Sequence, residues 1–85
     1  MIIWDDDKNQ KLQIERDISF NQISEIILRK EYLDILGNPS RPNQLIFVVK
    51  LNDYTYSVPF VIDDQSNIVL KTAYPSRKLH KKYTG

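Results

Sequence analysis

Eighty-five residues, 41% of them hydrophobic, suffice for one domain with a single thin core, spanning residues 1–85. The absence of cysteine excludes a disulfide framework and a thiolate metal site. The lone histidine has no companions at ligand spacing, so neither a metal nor a cofactor is expected. Met1–Asp7 lacks the basic-then-apolar order of a signal peptide, and no apolar run approaches the roughly 20 residues that cross a bilayer, so the chain reads as soluble and cytoplasmic.

Taken in order, Met1 to Trp4 is a short apolar segment, extended or a strand. Asp5 is placed to cap a helix, with Asp6 and Asp7 in the first turn, where the positive end of the dipole favours acids. Good helix formers continue to Arg16, but only Leu12 and Ile14 are apolar, which predicts a mostly solvated helix. Asp17 tolerates the left-handed conformation that would end it. Ser19 and Gln22 then form a capping box, and Ile18 and Ile23 have the spacing of a hydrophobic staple. Phe20, Ile23, Ile26 and Ile27 give the second helix one apolar face.

Beyond Glu31 the period changes to two. Tyr32 to Leu36 reads as a strand, and Gly37 to Asn43 as a breaker-rich loop. Leu45 to Leu51 is a buried strand. Asn52-Asp53 suits a type I′ hairpin turn into a strand carrying Tyr54, Tyr56, Val58, Phe60 and Ile62 on one face. Pro59 cannot donate to a ladder, which predicts a bulge or a locally free edge. Ile68 to Tyr74 reads as the last strand, stopped by Pro75, and the tail from Ser76 as a short capped helix or an extended arm. The sum is an α+β domain: two N-terminal helices packed on a roughly four-stranded antiparallel sheet, with a basic C-terminal tail.

That tail holds the main chemical signal. From Lys71 to Tyr83 the chain carries Lys71, Arg77, Lys78, Lys81 and Lys82 and no acid, while residues 1–70 carry more acids than bases. The net charge of +1 therefore conceals a dipolar chain. Clustered cations with aromatic neighbours are a footprint for phosphate, and above all for nucleic acid.

Three segments resemble the BrnT family of toxins: Trp4-Asp5-Asp6-Asp7-Lys8-Asn9, Ile18-Ser19-Phe20, and Pro75-Ser76-Arg77-Lys78 followed by Lys81-Lys82. The family consists of small ribonucleases of type II toxin–antitoxin systems with a RelE/ParE-like fold. The resemblance spans the chain and implies an endoribonuclease that inhibits translation. It also implies neutralisation by a cognate antitoxin, often of ribbon-helix-helix type, through which any DNA contact would be made.

RNA cleavage without metal needs a base for the ribose 2′-OH, a stabiliser of phosphoryl charge and an acid for the leaving oxygen. Arg77 is the first candidate stabiliser, since its fork matches two phosphate oxygens. Lys8 is the second, because the family's opening carries a lysine there, and it would reach over the sheet toward the tail. His80 has the one reference pKa suited to both acid and base work near neutrality. Lys71, Lys78, Lys81 and Lys82 are read as RNA-backbone contacts, and Tyr83 as a base-stacking or proton-donating group. Each has a plainer alternative: a solvated charge, or for Tyr56 and Trp4 a core aromatic. The family follows its basic run with a glutamate and an arginine, where this chain has Tyr83, Thr84 and Gly85. The missing glutamate and the lack of an obvious base motivate a second reading as a non-catalytic module that binds nucleic acid or antitoxin; a further departure is Asp17 where the family has glycine. No feature favours ParE-like action on gyrase.

Overall fold

A computed structural model describes residues 1–84. Its elements in chain order are β1 (Ile2–Ile3), α1 (Asp6–Arg16), α2 (Phe20–Leu28), β2 (Asp34–Gly37), β3 (Leu45–Leu51), β4 (Tyr54–Ile62), β5 (Ile68–Leu70), β6 (Tyr74–Pro75) and α3 (Arg77–Thr84). Among the described residues no helix is long and apolar enough to cross a membrane.

Local chemistry accounts for the helix ends. Asp5 accepts from the backbone N–H groups of Asp7 and Lys8 and caps α1, and Asp17 closes that helix at φ 56°. The Ser19–Gln22 capping box is formed in both directions. Ile18 and Ile23, the staple pair, are fully buried. After α2, Lys30 N–H donates to Ile27 and Glu31 N–H to Ile26, the paired bonds of a Schellman motif, with Lys30 in the left-handed position that glycine usually takes.

The strands form one sheet in the order β1-β5-β4-β3-β2, with β6 as a second neighbour of β4. This corrects the expected four-stranded antiparallel arrangement. The described residues form six strands, and β1 pairs with β5 in parallel, so the sheet is mixed. Of the two forms expected for the tail, it takes the short helix capped by Ser76, α3, which makes a third helix. The β2 strand starts at Asp34 rather than Tyr32, and the expected last strand is two short pieces. The hairpin is as expected: Asn52 and Asp53 both have positive φ, as a type I′ turn requires.

Register assigns the faces. Phe47, Val49 and Leu51 of β3 pair with Val58, Tyr56 and Tyr54 of β4, and this face meets Leu12, Ile18, Phe20, Ile23 and Ile27 in the core. Asn9, buried, ties the first two helices: its side chain accepts from Phe20 N–H at 2.7 Å and donates to Asn21 at 2.8 Å. Trp4 lies against the Phe20 ring at 6.0 Å.

The opposite face carries Ile46, Val48, Thr55 and Ser57, all buried as well. The α3 helix lies on this side. Ser76 N–H donates to the Thr55 carbonyl, Ser76 Oγ caps the helix through Leu79 N–H, and His80 Nδ1 is hydrogen-bonded to Thr55 Oγ1 at 3.0 Å. Tyr83 O–H donates to Asp34 Oδ2 at 2.5 Å, so the helix reaches from β4 to β2. The architecture is thus two helices on one face and one on the other.

Candidate nucleic-acid interface

Pro59 is the residue around which the site is built. The β3 ladder runs through it unbroken, with Ile46 opposite. On its other side the next residue pair after Phe60 and Leu70 would be Pro59 and Lys71. Half of that pair exists, because Lys71 N–H donates to the Pro59 carbonyl at 2.9 Å. The return bond is impossible because proline has no N–H. The Lys71 carbonyl is left without a ladder partner, β5 ends at Leu70, and pairing resumes one residue out of step at β6. Lys8 Nζ donates to that carbonyl at 3.3 Å. A gap in the sheet thereby fixes a cation from α1 beside Lys71.

A cleft of about 440 Å³ opens there. Lys8 and Lys71 form one side and Arg41 contributes from the β2–β3 loop. The remaining lining is polar or aromatic, including Asn38, Gln44 and Tyr74, with Pro59 in the wall and, among the described residues, no carboxylate. The loop that presents Arg41 is internally braced. Asn38 N–H donates to the Gln44 carbonyl, Arg41 N–H to the Asn38 carbonyl and Gln44 N–H to the Arg41 carbonyl, while Asn38 Oδ1 accepts from Ser40 N–H. A second groove of about 280 Å³ shares Lys8 and Thr72 with the first and runs along α1 past Lys11 and Arg16, though Glu15 also lines it.

Alternation along the strands puts Pro59, Ser57 and Thr55 on one face, with Tyr74 beside Ser57. The cleft and α3 therefore lie on the same side of the sheet, the cleft at one end and α3 at the other. On α3, Arg77, Lys78, Lys81 and Lys82 are exposed and share the outer face, while Leu79, His80 and Tyr83 turn inward and are half-buried. Among the described residues the one ion pair joins Arg29 to Glu25, so none of these cations forms a short salt bridge, although Lys82 lies near enough to Asp34 to act on its carboxyl.

The residues singled out in the sequence thus separate into three groups. Lys8 and Lys71 meet in the cleft. Arg77, Lys78, Lys81 and Lys82 form the exposed stripe, and Arg77 does not line the cleft. His80 and Tyr83 are engaged beneath α3. The His80 ring stacks on Tyr54 at 4.1 Å, and the Tyr83 hydroxyl is taken up by Asp34. That hydrogen bond raises the Tyr83 pKa above its ordinary value. It is also the leading reason that the Asp34 carboxyl is lowered, helped by Ile35 N–H and Lys82. Gly85 lies outside the described residues. Arg41, Asn38 and Gln44 escaped the sequence reading. Their signal was an arginine between two prolines in a polar loop, but only folding brings that loop to Lys8 and Lys71. No family model, curated protein or solved structure matches this chain.

Proposed function

We propose that this chain is the toxin of a type II toxin–antitoxin pair, similar to BrnT, and that it acts in the cytoplasm as a metal-independent endoribonuclease that halts translation. The observation that carries the reading is the set of cations without a salt-bridge partner that lines the cleft and the outer face of α3, in a chain that has nearly as many acids as bases. Such a surface attracts a polyanion and holds it by its backbone. The first turn of α3 adds to this: it carries Arg77 and Lys78 and no acid, the reverse of what the helix dipole favours. Two of the segments that carry the family resemblance also touch, through Trp4 and Asn9 against Phe20.

In this reading Arg77 stabilises developing phosphoryl charge, Lys8 supports it from the cleft, and Lys71, Lys78, Lys81 and Lys82 hold the RNA backbone. An antitoxin, in the family often a ribbon-helix-helix protein, covers the cationic face and supplies any DNA contact. Purified protein incubated with RNA in chelator should cut it, and Arg77→Ala should lower the rate by roughly 10²–10³.

A second reading, a binding module without nuclease activity, is favoured by one observation. His80 Nδ1 and the Tyr83 hydroxyl, two candidates for moving protons, are both engaged in holding α3, and no carboxylate lines the larger cleft. Binding of RNA with steep salt dependence and no cleavage at any concentration would establish that alternative.

A further inference from the structure

We infer that the Lys8–Arg41–Lys71 cleft is a subsite for one nucleotide of single-stranded RNA, with the phosphate held by the three cations and the unpaired base stacked on Tyr74. The inference rests on RNA being the polyanion of the preceding section, but not on its being cut.

Charge comes first. Three cations from α1, the β2–β3 loop and the β5–β6 connection line one cleft without an acid, and none has an ion-pair partner among the described residues. Chance clustering of exposed lysines would not brace them. Here Lys8 Nζ is held on the Lys71 carbonyl that Pro59 leaves free, and the Arg41 loop is tied across its neck from Asn38 to Gln44. Lys8, held in this way, loses less freedom on binding than a free side chain does, and the braced loop fixes the backbone from which Arg41 reaches. Arg41 supplies the planar fork that matches two phosphate oxygens.

The shape selects the ligand further. A volume of about 440 Å³ accommodates a nucleotide. Tyr74 borders the cleft and is 38% exposed, and no hydrogen bond from its hydroxyl fixes it elsewhere among the described residues. An exposed aromatic beside a phosphate-binding notch stacks an unstacked base, and a base inside a duplex is not available for stacking. Tyr74 lies between the cleft and α3, so a strand leaving the notch passes toward Arg77 and Lys78.

The test is fluorescence anisotropy with a labelled eight-nucleotide single-stranded RNA in chelator, titrated across salt concentrations. Arg41→Gln and Lys71→Gln should each flatten the slope of log affinity against log salt by about 0.7, the value of one phosphate contact on a single strand. Tyr74→Ala should weaken binding about fivefold or more at fixed salt without changing that slope. The same sequence as a duplex should show no dependence on Tyr74. Arg29→Gln, which removes an equal charge from the Arg29–Glu25 pair, should change neither quantity. Thermal melts that match wild type establish that each variant is folded. An unchanged slope in both cleft variants, or Tyr74→Ala binding as wild type does, overturns the inference. Cleavage of a longer RNA, scored in parallel, decides the nuclease reading separately. Loss of cutting with an intact cleft signature sinks only that reading, and dependence on Arg77 alone sinks only the subsite.

Discussion

Tyr83 illustrates how a residue chosen for one chemistry is claimed by another. Its position in a basic run suggested stacking on RNA, but its hydroxyl donates to Asp34 and holds α3 to β2. The bond has a pH signature whose sign can be worked out. The Asp34 carboxyl is lowered in the folded chain, so its contribution is present above the unfolded value near 4 and disappears as pH falls through the folded one. The Tyr83 hydroxyl is raised, so its contribution is present below the unfolded value near 10 and disappears as pH rises through the folded one. Amide exchange in α3 should therefore be slowest across the neutral range and accelerate, beyond the intrinsic pH dependence, at both extremes. Tyr83→Phe should abolish the acid-side acceleration and return the Asp34 carboxyl toward its ordinary pKa, both measurable by NMR titration.

Among the elements, those made by neighbours in sequence were legible and those made by distant pairing were not. The α2 capping box, the Asp17 turn and the Asn52-Asp53 hairpin each follow from residues a few positions apart. The β1–β5 pairing joins residues 66 apart, Ile2 with Ile68, and nothing local announces it. Pro59 falls between. Its missing donor was legible, but the identity of the carbonyl it strands depended on register. Pro59→Ala would restore the missing N–H, and a slowly exchanging amide should appear at residue 59, bonded to the Lys71 carbonyl. Lys8 would then share that carbonyl with a second donor. The first turn of α3 makes a different prediction. Lys78→Glu replaces an unfavourable charge at the helix start by a favourable one. It should raise stability by about 0.3–1 kcal/mol in a thermal melt while weakening RNA binding, two effects of opposite sign from one side chain.

For the molecule as a whole, the sheet separates two kinds of surface. One face receives the apolar sides of α1 and α2 and is the core. The other is thinly covered by α3, which carries Arg77, Lys78, Lys81 and Lys82 on its exposed side. Part of this was legible, because an acid-free C-terminal run can be read directly from the sequence, as can a lysine near the N-terminus. The joining of Lys8, Arg41 and Lys71 was not, since it requires three segments, 63 residues apart at the widest, to meet at a gap in a ladder. The most direct measurement of the central claim is an NMR titration of labelled protein with a short single-stranded RNA in chelator. Amide shifts should concentrate at Lys8, at residues 38–44, at residues 71–74 and along the outer face of α3, with α2 unmoved. Shifts confined to α2 and the exposed edge of β2, or none at concentrations that saturate a nucleic-acid binder, would contradict it.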